Sequence, residues 1–172
     1  MGILTIRQAV IEDAGLIADM SRQTFFETFA EQNSKENMEK FMRETFNRDA
    51  LIREVGAPGN TFLLAFQDEE PVGYVRMRES GNPPGIDYAK TIEIARIYAT
   101  LNSIGKGVGK ALMKTCVALA VKNNYQFIWL GVWENNQRAI DFYLKGGFKK
   151  FGTHTFMLGD DPQTDWLMKK QL

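Results

Sequence analysis

A glycine-rich segment in the second half of the chain has the residue types of an anion-binding turn. Glycine stands at every second position from 105 to 109, and Lys106 and Lys110 supply positive charge. Backbone N–H groups converge on a phosphate only where Cβ atoms do not obstruct its approach, and the N-terminus of a following helix adds a favourable dipole. The segment therefore predicts a phosphate-binding turn, and a tight turn without a ligand is the structural alternative.

The spacing in this segment excludes two common phosphate-binding motifs. A P-loop requires a glycine four residues ahead of the Gly-Lys pair and Ser or Thr after it, but Ile104 and Ala111 occupy those positions. A dinucleotide fingerprint requires glycine in place of Lys110 and an acidic residue about 20 positions on, near Leu130, where there is none. If this segment binds phosphate, it does so through a motif other than these two.

A second segment, residues 136–148, carries the spacing Asn-x-x-Ala-x-x-Phe-Tyr-x-x-x-Gly-Phe. Together with the glycine turn, it resembles the GNAT superfamily of acetyl-CoA-dependent N-acetyltransferases. The resemblance runs from the first predicted strand through Phe148. Residues 24–34, 128–134 and 154–165 are similar to those of bacterial Pai-type spermidine/spermine N-acetyltransferases. The resemblance implies a single N-acetyltransferase domain over residues 1–172.

The resemblance also implies where acetyl-CoA, as co-substrate, binds. The cofactor would lie in a V-shaped opening between two splayed central strands, with its pantetheine paired to the backbone of Ile97, Tyr98 and Ala99. The pyrophosphate would lie in the turn formed by Gly105, Lys106, Gly107, Val108, Gly109 and Lys110. Asn136 would bind the cofactor or cap its helix, and Lys145 would reach the ribose 3′-phosphate or be solvated. Ile104 replaces the Arg or Gln common in the family ahead of the glycines.

Two residues are candidates for proton transfer. By resemblance, Tyr143 would protonate the departing thiolate or donate a hydrogen bond to it, and a core tyrosine is the structural alternative. The attacking amine must be neutral, although an alkylamine has a pKa of about 10.4, so a base or a water chain is required. The polyamine enzymes tend to carry a carboxylate where this chain has Ala95. Glu93, two residues earlier on the same strand face, is the predicted base through water, or else a charge at a strand end.

The acceptor predicted from the resemblance is a primary amine, with a polyamine such as spermidine preferred and direct transfer in a ternary complex. Other amines, such as a protein N-terminus, an amino acid or an antibiotic, and a non-catalytic acyl-CoA sensor are the alternatives. His154, the one histidine, would line the acceptor side or be structural. No metal site is expected from the spacing of histidine, cysteine and carboxylates. A polyamine pocket would be acidic, and the candidates are Glu27, Glu31, Asp87, Glu134, Asp160 and Asp161.

Length and composition restrict the classes of partner and the cellular compartment that we expect for this protein. The 172 residues suit one domain, and 21 Lys plus Arg against 21 Asp plus Glu leave no cationic field for nucleic acid or an anionic membrane. No apolar run approaches the roughly 20 residues of a membrane span, and no signal peptide is evident. We expect a cytoplasmic monomer or homodimer in which the one cysteine, Cys116, is a buried core thiol.

The elements that must position these residues alternate between helix and strand. Capping, glycine and periodicity patterns predict helices over residues 11–29, 34–46, 47–56, 107–123 and 136–145. Alternating and apolar runs predict strands over residues 3–8, 61–67, 72–78, 91–98, 127–133, 148–156 and 164–169. The predicted fold is a GNAT-type α/β (α+β) domain: a mixed, mostly antiparallel sheet of about seven strands, splayed in the middle and flanked by about four helices.

Overall fold

The computed structural model describes residues 2–172, which form a seven-stranded sheet with helices on both faces. The strands are β1 (Leu4–Gln8), β2 (Asn60–Gln67), β3 (Glu70–Arg78), β4 (Thr91–Ala99), β5 (Phe127–Trp133), β6 (Lys149–Leu158) and β7 (Asp161–Gln171). The α-helices are α1 (Ala14–Phe29), α2 (Lys35–Glu44), α3 (Arg48–Glu54), α4 (Val108–Lys122) and α5 (Gln137–Lys145). Short 3-10 turns lie at Ile11–Asp13, Ala30–Gln32 and Leu101–Ser103.

The sheet opens at its centre. Its strand order is β1-β2-β3-β4-β5-β7-β6, and every neighbouring pair is antiparallel except β4 and β5. These two strands pair only where residues 91–93 lie opposite residues 127–129, after which they diverge. The later part of β4 therefore presents unpaired backbone groups along one edge, and such groups require a partner.

Local sequence signals explain the element boundaries. The side chains of Ser34 and Asn47 accept hydrogen bonds from the N–H groups of Asn37 (3.2 Å) and Ala50 (2.9 Å), so they cap α2 and α3. Asp68 and Glu69 both have positive φ, as a two-residue type I′ hairpin between β2 and β3 requires. Both caps lie at the starts of predicted helices, whereas β3 begins at Glu70, two residues before the predicted strand.

Side-chain alternation divides the core between the two sheet faces. Val75 and Met77 of β3 pack with α4, whereas Tyr74 packs with α1 on the opposite face. A bulge in β4 shifts this alternation, because Arg76 pairs with Arg96 while Met77 pairs with Ile94, which leaves Ala95 without a partner. The bulge returns Arg96 to the face of α1–α3.

The predicted mixed, splayed sheet and the order of its elements are confirmed. Five α-helices lie within residues 2–172, one for each helix that the local patterns predict and one more than the four or so expected for the whole fold. The last two strands run further than predicted, since β6 and β7 pair along almost their whole length. No helix among the described residues is long and apolar enough to cross a bilayer.

Candidate active site

A cavity of about 620 Å³ occupies the splay between β4 and β5. One part, which we call the glycine-turn half, is lined by the end of β4, the segment before α4 and the start of α5; its residues include Ile97, Tyr98, Ala99, Gly105, Gly109, Asn136 and Tyr143. The other part, the aromatic half, is lined from α1, α2, α3, β3, β4, β6 and β7; its residues include Phe25, Phe29, Phe41, Phe46, Glu54, Arg76, Arg96, Phe156 and Asp165.

The glycine turn is shaped for an anion. Gly105 and Gly107 have φ values of 78° and 86°, a region that L side chains rarely adopt, and an added Cβ at either would meet nothing within 4 Å. Gly107 is the N-cap of α4 and offers no side-chain cap, so the first amides of this 15-residue helix point toward open space. Uncapped amides at a helix N-terminus fit a pyrophosphate.

The predicted cofactor residues fall into two groups. The cavity lining includes the residues of the β4 edge, two of the glycines and Asn136, namely Ile97, Tyr98, Ala99, Gly105, Gly109 and Asn136. Val108 is buried in the core, while Lys106, Gly107, Lys110 and Lys145 are exposed and lie beside the lining. Asn136 caps α5, because its side chain accepts a hydrogen bond from the Ala139 N–H at 3.3 Å.

Tyr143 lies where the two halves meet. It is buried, with 8% of its surface exposed, and it packs against Phe142 and Phe148 while lining the cavity. Burial raises the pKa of its hydroxyl well above the ordinary value, with a further contribution from Cys116. The hydroxyl therefore stays protonated at any working pH and is suited to donating a hydrogen bond.

Glu93 is not brought to the cavity lining. Its carboxylate accepts two hydrogen bonds from the Arg78 guanidinium, at 2.6 and 3.2 Å, and one from the Ser80 hydroxyl at 2.7 Å. It stands at the closed end of the splay, opposite Trp129. These hydrogen bonds hold the carboxylate outside the cavity lining, and its role as a base through water stays a prediction.

Asp165 is one of two carboxylates of the cavity lining that the prediction missed, the other being Glu54. It lies on β7 opposite His154 on β6, and its Oδ2 is 3.2 Å from the imidazole Nε2. Burial raises the pKa of Asp165, and the interaction with His154 offsets part of that rise. His154 is 45% exposed at its side chain, so the pair joins the cavity to solvent. Only the pairing of β6 with β7 reveals this arrangement.

A cluster of arginines forms one wall of the aromatic half. Glu54 of α3 accepts hydrogen bonds from Arg76, at 3.0 Å, and from Arg96. Sequence reasoning did not select these three residues, although charged side chains at alternate positions of the buried strand β3, Arg76 and Arg78, are an unusual pattern.

The expected acidic lining is wrong for all six candidates, since Glu27, Glu31, Asp87, Glu134, Asp160 and Asp161 lie outside the described cavity wall. These side chains belong to loops, turns or exposed helix faces, where carboxylates are normally solvated. Among residues 2–172, no group of three or more histidine, cysteine and carboxylate side chains has an arrangement that could hold a metal ion.

Comparisons with known proteins agree with this geometry. A model of the acetyltransferase (GNAT) family matches residues 22–148. An uncharacterized N-acetyltransferase of Lactobacillus delbrueckii subsp. lactis is 38% identical over 159 residues, 89% of this chain and 88% of the relative. The spermidine N(1)-acetyltransferase of Thermoplasma acidophilum is 25% identical over 172 residues, 98% of this chain and 97% of the relative.

A solved structure supports the same assignment. The PaiA N-acetyltransferase of Thermoplasma acidophilum, in complex with coenzyme A, superposes with a TM-score of 0.80 at 25% identity, covering 99% of each chain. The chain therefore belongs to the acetyltransferase (GNAT) family and is an N-acetyltransferase that takes its acetyl group from acetyl-CoA.

Proposed function

We propose that this enzyme transfers acetyl directly, in a ternary complex, from the sulfur of acetyl-CoA to the nitrogen of a small primary amine. The observation that carries the proposal is the continuity of the cavity: the unpaired β4 edge and the glycine turn open into the aromatic half at Tyr143. The pantetheine would extend along β4 and bring the thioester to the junction. The amine would approach from the side of α1–α3.

The chain's own residues supply binding and proton handling. The amides that begin α4 hold the pyrophosphate, and the backbone of Ile97 and Ala99 pairs with the pantetheine amides as an added strand would. When the amine nitrogen bonds to the acetyl carbon, the C–S bond breaks and the sulfur leaves as a thiolate. Tyr143 donates its hydroxyl hydrogen bond to that sulfur and lowers the barrier to its departure.

We assign the proton acceptor to Asp165 rather than to Glu93. The attacking amine loses one proton overall. Asp165 lines the cavity whereas Glu93 does not, and burial raises the pKa of the Asp165 carboxyl, which makes it a better proton acceptor. His154, on the solvent side of Asp165, passes the proton to water. The atoms balance: amine and acetyl-CoA give the amide and free coenzyme A.

The burial of Cys116, the one cysteine, supports direct transfer over transfer through an acetylated cysteine. Cys116 lies on the fully buried face of α4, and burial raises its pKa to about 12. A thiol that remains protonated and inaccessible cannot carry the acetyl group between substrates. Cys116→Ala should therefore leave the transfer rate unchanged, and mass spectrometry of enzyme incubated with acetyl-CoA alone should show no acetylated protein.

The acceptor class is the finer part of the proposal. A polyamine is supported by the relative named spermidine N(1)-acetyltransferase. A primary amine with an anionic group is favoured by the arginine wall of the aromatic half. The test is thiol release from acetyl-CoA with a panel of spermidine, spermine, diamines, amino acids and peptides. Thiol release with at least one amine and intersecting initial-rate plots are expected; coenzyme A binding without release for any amine would overturn the catalytic proposal.

A further inference from the structure

The arginine wall consists of charges held away from bulk water. The side chains of Arg76 and Arg96 are 13% and 9% exposed, and that of Glu54, which bridges them, is 25% exposed. All three line the aromatic half of the cavity. Two guanidiniums that are this buried need nearby negative charge, because desolvation penalises an unpaired ion strongly.

The negative charge present within residues 2–172 is insufficient. Glu54 is shared between Arg76 and Arg96, while the neighbouring Arg78 is paired with Glu93. The Nη1 of Arg96 is buried and has no hydrogen-bond acceptor among the described residues. Burial, together with Arg96 and Arg78, lowers the pKa of Arg76 to about 10. The cluster of Arg76, Arg96 and Glu54 therefore carries about one positive charge more than its own carboxylate compensates.

Apolar rings surround this charge. The guanidinium of Arg96 lies 5.2 Å from the ring centroid of Phe46, which stacks on Phe41 at 5.4 Å. Phe41 in turn contacts Phe156 of β6, with centroids 5.7 Å apart. A ligand here meets a cationic cluster next to several aromatic rings, and these two features together favour an apolar body with one anionic group.

We infer that the acceptor is an amine that also carries a carboxylate, with Arg76 and Arg96 binding the carboxylate and the phenylalanines holding an apolar body. This inference rests on the proposed function, since it names the substrate class of the same site. A carboxylate oxygen pair matches the planar donors of a guanidinium and would bring negative charge to a cluster that has one carboxylate for two guanidiniums. A polyamine would instead place a second ammonium beside two buried guanidiniums, where like charges repel.

The first test compares acceptors that differ only in the anionic group. The pairs are L-phenylalanine with L-phenylalaninamide and with 2-phenylethylamine, and L-leucine with L-leucinamide, with rates expressed per concentration of neutral amine. Charge-assisted hydrogen bonds are strong enough that we expect kcat/KM to be about tenfold or more higher for each carboxylate. Equal or lower values for the carboxylates would overturn the inference.

The second test changes the wall itself. Arg76→Gln should reduce the preference for L-phenylalanine over L-phenylalaninamide to about threefold or less, mainly through KM, and Arg76→Lys should restore part of it. Arg43→Gln, an exposed arginine on α2 outside the cavity, is the matched control and should leave the preference unchanged. Circular dichroism and melting temperature verify that each variant folds. A preference that survives Arg76→Gln in a folded protein would contradict the assignment.

A binding measurement separates this inference from the proposed function. With the protein saturated with coenzyme A, L-phenylalanine should raise the melting temperature more than L-phenylalaninamide, and Arg76→Gln should remove the difference. If spermidine releases thiol and the carboxylates neither react nor protect, the catalytic proposal stands and the inference is wrong. If no amine releases thiol but L-phenylalanine protects through Arg76, the site is correct and the catalytic proposal is wrong.

Discussion

The two halves of the cavity are built from different parts of the polypeptide. The glycine-turn half uses backbone groups: an unpaired strand edge and the amides at the start of α4. The aromatic half uses side chains from seven elements spread along the sequence. A backbone site binds a ligand common to a whole family, because its donors do not depend on side-chain identity. A side-chain site changes with single substitutions, and acceptor choice can therefore vary while the cofactor stays fixed.

The β4 bulge connects the two halves. Because Ala95 is unpaired, Arg96 and Tyr98 face α1–α3, whereas Ile97 joins the core that packs on α4. One irregular residue thus places an acceptor-binding guanidinium next to the backbone that would hold pantetheine.

The largest effect should come from removing the base on the aromatic side. Asp165→Asn keeps the shape but removes the proton acceptor, and we expect kcat/KM to fall by about 10³-fold. In the wild-type enzyme, kcat/KM should fall with decreasing pH below a midpoint that lies above the ordinary Asp value, because only the ionised form acts as a base. Asp160→Asn, an exposed carboxylate outside the cavity, is the control. If the activity of Asp165→Asn stayed within threefold of wild type, another group would have to be the proton acceptor.

Asp165→Asn should lower activity but raise stability at neutral pH. A carboxyl group whose pKa is raised by folding binds protons more tightly in the folded state, so its ionisation opposes folding once the pH rises above its unfolded value. Asp165→Asn should therefore raise the melting temperature at pH 7.5 and lose that advantage near pH 3. A lower melting temperature at pH 7.5 would show that the charged pair with His154 stabilises the fold.

A somewhat smaller effect is expected at the junction of the halves. Tyr143→Phe removes the donor to the leaving sulfur, and we expect kcat to fall by about 10²-fold while the Kd of coenzyme A changes by less than about twofold. Because burial raises the pKa of Tyr143, its titration should not appear as a limb of the pH–rate profile below pH 10. Tyr125→Phe, at a tyrosine outside the cavity, should leave kcat unchanged. Unchanged turnover in Tyr143→Phe would show that Tyr143 serves packing of the core and not the departure of the sulfur.

The contrast between the halves also separates what the sequence could predict from what it could not. Gly105, Gly107 and Asn136 lie in two contiguous motifs whose spacing specifies local backbone geometry, so the turn, its helix and the capping of α5 were predictable. Asp165 faces the cavity only because of the β6–β7 register, and Arg96 only because of a bulge. Register and bulges depend on tertiary pairing, which no local pattern in one sequence encodes.

A substitution in the glycine-turn half should weaken coenzyme A binding by changing the backbone conformation. Gly107 has a φ of 86°, so Gly107→Val forces a β-branched residue into the left-handed region or displaces the start of α4. The strain is about 1–2 kcal/mol, and redirecting the first helical amides should weaken coenzyme A binding by about tenfold or more. Gly81→Val provides a control with a similar φ of 78° in a loop away from the cavity; it should lower stability but not coenzyme A affinity by calorimetry. Equal Kd values for both variants would indicate that the turn does not hold the pyrophosphate.

The smallest effect should come from the lysines beside the turn. Lys145 is exposed on the last turn of α5, and an exposed ammonium group contributes little because water and salt screen its interactions. Lys145→Gln should therefore raise the Kd of coenzyme A by no more than about threefold at low ionic strength and by less at 0.5 M salt, whereas the Gly107→Val defect should persist in salt. If Lys145→Gln instead lowered the affinity for coenzyme A more than Gly107→Val did, and the loss diminished with salt, the expected order of the two effects would be reversed. Side-chain charge, rather than backbone geometry, would then dominate cofactor binding.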